Sequence, residues 1–183
     1  MLFKFETFYI EPVQIQDSWA ICDFVVSNDD RLKRYFPKTL EQNLTPDLSK
    51  RFIDKTIKEQ QLKETFLFAL KENKTKKIIG LVYIKNIDWL KKQGEFAYCV
   101  GYQYEGKGLI SQSVKVLSKY AFDVLGLEAL QIIVHKSNIS SIKVAENCNF
   151  KWQSILENEF TPVDENPLNM ELYELLKNKE FHG

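Results

Sequence analysis

The strongest constraint on this chain lies between residues 95 and 126, where a strand pattern passes through a glycine turn straight into a helix pattern. Glu95-Phe-Ala-Tyr-Cys-Val-Gly101 is aromatic and apolar, as a buried strand would be. Gln103, Gly106 and Gly108 follow in a Gln-x-x-Gly-x-Gly run. Ile110, Val114, Leu117, Ala121 and Leu125 then recur at helical spacing, and Gly126 supplies a stop. Two glycines let backbone N–H groups turn inward at a helix start, where unpaired donors and the helix dipole attract a phosphate. The loop is not a kinase-type P-loop, because no Gly-Lys-Ser/Thr follows. Nor is it a dinucleotide fingerprint, since the third glycine and the acidic partner after the next strand are both missing. Its phosphate belongs to another cofactor.

A chain of 183 residues, 44% hydrophobic and 27% charged, is expected to fold as one domain with a real core. Twenty-five basic and 25 acidic residues cancel, which argues against nucleic-acid binding by bulk charge. The charged N-terminal stretch does not read as a signal peptide, and no apolar run reaches membrane-spanning length. Cys22, Cys99 and Cys148 are odd in number and far apart, so they form neither a disulfide framework nor a metal motif and suit a reducing cytoplasm. His135 and His182 are the only histidines, which leaves little material for a zinc site or a histidine triad; His135 is expected simply to end a strand.

Along the chain, Phe5 to Val13 reads as a first strand. Asp17 is placed to cap a helix that buries Trp19, Ala20, Cys22, Phe24 and Val25. Tyr35-Phe-Pro37 breaks that pattern, and Thr45-Pro46-Asp47 starts another helix with Leu48, Phe52 and Ile57 inward. Thr65 to Leu70 and Ile78 to Ile84 form a hairpin around the polar turn from Glu72 to Lys76. Ala129 to Val134 is a continuous apolar run, expected as a central strand buried on both faces. Asn138 begins a helix with Ile142 and Ala145 inward, and Phe150 to Leu156 and Leu168 to Leu176 supply the last strands. The expected class is α+β.

Glu95-Phe-Ala-Tyr-Cys-Val, Gln103-Tyr-Glu-Gly-Lys-Gly-Leu-Ile, Tyr120-Ala-Phe with Leu125-Gly-Leu127, Asn138-Ile-Ser-Ser141 and Glu146-Asn-Cys-Asn-Phe150 together resemble the GNAT N-acetyltransferases. The branch they resemble most acetylates the N-termini of ribosomal proteins. The resemblance is continuous over residues 95–150 and looser elsewhere. It implies a mixed, mostly antiparallel sheet flanked by helices, with acetyl-CoA in a V-shaped gap between two central strands. It places the diphosphate on the amides of Gly106, Lys107, Gly108, Leu109 and Ile110 behind Gln103, with the Lys107 side chain turned to solvent. The backbone of Cys99, Val100 and Gly101 would pair with the pantetheine arm, Asn138 would touch that arm, and Ser141 would lie near the sulfur. Gln112, Asn149 and Gly101 depart from the family pattern without removing any amide. No metal is implied, and a homodimer is a further expectation.

The resemblance also implies direct transfer of acetyl to a primary amine. Freeing an α-amine at pH 7 costs about 1 kcal/mol, against roughly 4–5 for a lysine side chain, so a weak base suffices for a protein N-terminus. Glu95 is the first candidate for that base, with Glu157 and Glu159 as alternatives; the bland alternative for Glu95 is the solvent face of an edge. The family often carries a tyrosine in the helix after Asn138 to protonate the leaving thiolate. Ile142 to Cys148 contains none, so Ser141 is expected to replace it, helix capping being the other reading. Cys99 is read as packing rather than as a nucleophile, and an amide near Cys99 or Val100 would meet the oxyanion. Residues 157–176 hold six acidic and no basic residues, which would attract a cationic amine. A polyamine, an amino acid or an antibiotic stays open as the acceptor, as does a non-catalytic acyl-CoA-binding module.

Overall fold

The computed structural model describes residues 2–177; His182 lies outside them. In chain order the elements are β1 (Phe3–Lys4), β2 (Phe8–Pro12), α1 (Ser18–Val26), α2 (Asp29–Tyr35), α3 (Pro37–Glu41), α4 (Pro46–Gln61), β3 (Phe66–Glu72) and β4 (Ile78–Asp88). They continue as β5 (Gln93–Val100), α5 (Leu109–Asp123), β6 (Ala129–Val134), α6 (Ile139–Asn147), β7 (Lys151–Phe160) and β8 (Leu168–Leu176). The strands form one sheet in the order β1-β2-β3-β4-β5-β6-β8-β7. Every neighbouring pair is antiparallel except β5 and β6. This is the expected α+β fold.

Period-two alternation along β3 shows how the layers arise. Phe66, Phe68 and Leu70 point to one face, where Val114, Leu117 and Ala121 of α5 and Ala145 of α6 cover them. Leu67 and Ala69 point to the other, against Ile21, Phe24 and Val25 of α1 and Phe52 and Ile53 of α4. Burying each of the larger apolar side chains contributes about 1.5–3 kcal/mol. Helix α4 starts as its sequence suggests, with Pro46 in the first turn and the Thr45 hydroxyl accepting from the Leu48 N–H at 3.3 Å.

Several expectations are corrected. The first strand is two short ones, β1 and β2, folded back as a hairpin on β2's outer edge. Trp19 is 74% exposed, and the buried stripe of α1 is Ile21, Phe24 and Val25, because a 3.6-residue period cannot bring Trp19 and Ile21 to one side. Asp17 makes no capping bond to α1. Its carboxylate accepts instead from the Gln14 N–H at 2.9 Å and from the Lys71 ammonium at 2.6 Å. Leu125 lies past the end of α5, though it still packs on the core. Glu95 sits on an interior strand, not at an edge.

Lys71 is the sheet's most buried charge. Its ammonium bridges Asp17 and Glu11 at 2.6 and 2.9 Å, and its side chain is 7% exposed. Burial disfavours the charged Lys71, but the hydrogen bonds it donates to both carboxylates outweigh it and hold its pKa above the ordinary lysine value. For Glu11 burial pushes upward, yet the Lys71 hydrogen bond and charge hold it below the ordinary range. Glu11 therefore contributes stability that is present above its unfolded pKa and lost as pH falls through its lowered folded one. Lys71→Met leaves carboxylates without their cation and should cost about 3–5 kcal/mol near pH 7. Thermal unfolding at several pH values checks this: the gap to wild type should shrink as pH falls through the lowered Glu11 value.

Candidate active site

The site is created by two strands that stop pairing. β5 and β6 are in parallel register only from Gln93↔Ala129 to Phe96↔Ile132. Beyond Phe96, β5 stays bonded to β4 through Val100, while β6 continues along β8 to Val134. The N–H of Gly101 donates to the Ile79 carbonyl at 2.9 Å, on the β4 side. Because successive residues of a strand aim their polar groups to opposite sides, Cys99 shares that direction, and Tyr98 and Val100 face the gap. Of the three backbone positions expected to receive a pantetheine arm, only Val100 aims its groups there.

At the wide end of the gap, Gly106 and Gly108 both adopt φ of 71°, a left-handed conformation that favours glycine. Gly108 is the N-cap of α5. Among the described residues, the N–H groups of residues 106–110 donate to no protein acceptor, and the first backbone bond of the helix runs from the Gln112 N–H to the Gly108 carbonyl at 3.0 Å. A row of free donors at the positive end of a 15-residue helix suits a diphosphate. Gly106, Gly108, Leu109 and Ile110 line a cavity of about 450 Å³ with Cys99, Val100 and Asn138. Gln103 and Lys107 do not line it; Lys107 is exposed, with its ammonium 5.2 Å from the centre of the Tyr104 ring. The carboxylate of Glu105, inside this loop, is matched by Arg31 at 2.5 Å and by the Ser140 hydroxyl at 3.3 Å. The Arg31 hydrogen bond holds the Glu105 pKa below its usual range, and so keeps it ionised and paired.

A second cavity, of about 500 Å³, opens on the other side of the gap. Its walls include Phe36, Tyr83, Phe96, Phe160 and Met170, with Glu95, Glu159, Lys38, Lys85 and His135 among them. Glu95 is held at both oxygens, by Lys85 at 3.0 Å and by the Asn86 amide at 2.7 Å. Glu159 lines the cavity; Glu157 does not. Elsewhere in the acidic segment, Glu165 pairs with Arg34 at 2.8 Å, and Glu171 accepts from the Tyr173 hydroxyl. The six acids do not converge on the cavity. His135 follows β6 as expected, yet also lines this cavity, its Nδ1 accepting from the Ser137 N–H at 3.3 Å.

Tyr35, Phe36, Tyr98, Asn138 and Ser141 line both cavities and mark the seam between them. Asn138 caps α6, its side chain accepting from the Ser141 N–H at 3.2 Å, so Ser141 itself is not the cap. The Ser141 hydroxyl lies 2.9 Å from the Tyr98 hydroxyl, which also donates to the Ser141 carbonyl at 3.3 Å. Burial raises the Tyr98 phenol far above its ordinary pKa and keeps it neutral. Burial likewise pushes the Cys99 thiol up to about 12, which withholds the thiolate a nucleophile would need. Tyr98 was legible as the next same-face residue after Phe96 on a strand; Tyr35 carried no such signal.

Comparison with known proteins agrees with this geometry. A family model described as an acetyltransferase (GNAT) domain matches residues 8–151. A spermidine N(1)-acetyltransferase of Escherichia coli is 33% identical over 81 residues, a match that spans 44% of each chain, so less than half of that relative is covered. An uncharacterized N-acetyltransferase of Bacillus licheniformis is 25% identical over 97% of this chain and 99% of its own length. The crystal structure of a ribosomal-protein-S5-alanine acetyltransferase from Vibrio fischeri superposes with a TM-score of 0.90 at 21% identity, covering 97% of both chains. The glycine loop, the parted strands and the family match give one conclusion: this chain belongs to the GNAT acetyltransferase family.

Proposed function

We propose that this protein transfers acetyl from acetyl-CoA to the N-terminal α-amine of a protein, with ribosomal proteins as the acceptor class. The observation that carries the reading is the seam: two cavities, one built around free helix-start amides and one around aromatic walls, meet where β5 and β6 part. The amides of Gly106 to Ile110 hold the diphosphate, and Val100 offers its backbone to the pantetheine arm and to the carbonyl oxygen. Acetyl-CoA supplies the activated acetyl group when bound. Asn138 and Ser141 border the point of transfer from the α6 side, with Ser141 oriented by Tyr98. The three cysteines are unpaired, in keeping with a reducing compartment, and no helix among the described residues is long and apolar enough to cross a membrane.

The acceptor side supports an N-terminus over a polyamine. Aromatic rings and Met170 form much of its wall, and its charges nearly cancel: Lys85 neutralises Glu95, while Lys38 and His135 stand with Glu159. A molecule carrying several positive charges gains little there, whereas one amine followed by a peptide fits. A weak base is enough for that amine. Glu95 keeps its position by the acceptor, but both of its oxygens are engaged. Glu159 lines the same cavity with no hydrogen bond or ion pair among the described residues, which leaves its oxygens free to meet the amine.

Gly108→Asp puts an anionic side chain at the helix start, in a backbone conformation an L-residue resists. Calorimetric titration should show coenzyme A affinity falling at least about 100-fold, equivalent to roughly 2.7 kcal/mol, with ATP binding neither protein well. Thiol release with a panel of N-terminal peptides, spermidine and free amino acids tests the acceptor. Peptides should give the highest kcat/KM, by about tenfold or more; preference for spermidine would contradict the reading.

A further inference from the structure

The loop that carries the free amides also carries an anion. Glu105 stands one residue before Gly106, and both line the first cavity. Bare N–H groups at a helix start attract a phosphate, whereas a carboxylate one peptide unit away repels it. Two contacts hold that carboxylate. Arg31 of α2 meets one oxygen at 2.5 Å, and the Ser140 hydroxyl of α6 donates to the other at 3.3 Å. The Arg31 guanidinium also lies 4.7 Å over the Tyr102 ring, at the entry to the loop. Just before α2, the buried Asn28 accepts from the Tyr102 N–H at 3.2 Å and donates to the Phe24 carbonyl at 2.7 Å, which fixes helix and loop against each other. Lys107 is no substitute for Arg31, because it does not line the cavity. Lys143 of α6 does, but no ion pair joins it to Glu105 among the described residues.

We infer that Arg31 is a positioning residue for the cofactor: it cancels the Glu105 charge and holds the carboxylate toward α2, leaving the amides of residues 106–110 to act on the diphosphate unopposed. The inference rests on the cofactor reading above. Its rival is a plain tether, in which the ion pair only ties α2 to the loop. A tether is symmetric, since removing either partner breaks the same contact. A charge guard is not. Without Arg31, an anion is left unbalanced beside the phosphate; without Glu105, a cation is left there instead. The two single variants should therefore move cofactor affinity in opposite directions, and removing both charges should restore it.

The measurements are coenzyme A affinity by calorimetry, at low and at high salt, and the melting temperature without ligand. The proteins are wild type, Arg31→Met, Arg31→Lys, Glu105→Gln and the double variant Arg31→Met with Glu105→Gln. Arg31→Met should weaken binding about tenfold at low salt, and the loss should shrink as salt screens the charge. Glu105→Gln should bind as tightly as wild type or more so, Arg31→Lys should keep most of the affinity, and the double variant should return to within about twofold of wild type. Losses of equal size in both single variants that persist in the double variant establish the tether and overturn the assignment. So does an Arg31→Met loss that ignores salt or follows a lower melting temperature, and so does unchanged affinity. Wild-type protein that binds no coenzyme A sinks the cofactor reading and this inference with it, whereas wild-type binding with an unaffected Arg31→Met strikes the inference alone.

Discussion

The structure turns on backbone polar groups in the middle of a sheet that have no strand to bond. Four residue pairs join β5 to β6, and then the strands separate although both continue. Buried N–H and C=O groups are satisfied almost without exception, so an interior strand that ends its pairing this early is built to be completed by something extended. Val100 and Tyr98 face that opening, and the helix start behind the glycine loop faces its mouth. The two features supply complementary things. One offers directional hydrogen bonds for a chain-like group, the other free donors and a favourable dipole for an anion.

Helix α2 and the loops around it border that opening. Arg31 neutralises Glu105 within the glycine loop, Asn28 accepts from the Tyr102 N–H at 3.2 Å, and Arg34 reaches across to Glu165 beyond β7. One short helix thereby touches the glycine loop by the first cavity and the β7–β8 connection by the second, with Tyr35 at its end lining both. Beneath the far strands, the Lys71, Glu11 and Asp17 cluster locks β2 and β3 to the start of α1. That cluster contributes to the rigidity of the sheet and takes no part in the site.

Short-range patterns were legible in the residues, and long-range geometry was not. The glycine turn, helix α5 behind it, the apolar run of β6 and the helix start at Asn138 all follow from local chemistry, and each stands where the pattern placed it. Misreadings arose where tertiary contacts override local preference. Asp17 has the composition of a cap but is claimed by a buried lysine fifty-four residues away. Six acids between residues 157 and 176 look like one anionic surface, yet only Glu159 lines the cavity: β7 loses regular register between Leu156 and Phe160, where Asn158 has a positive φ, and Asp164 and Glu165 lie in the β7–β8 connection. Tyr35 reaches the seam because the chain breaks at Pro37, a three-dimensional fact that no periodicity encodes.

Backbone amide NMR during titration with coenzyme A tests the central claim most directly, because it reads the individual N–H groups on which the account depends. The largest shifts should fall on residues 106–110 and on Tyr98 and Val100, with those of β1 and β2 unmoved. Saturable binding that leaves residues 106–110 unshifted, or no binding at millimolar coenzyme A, would contradict it.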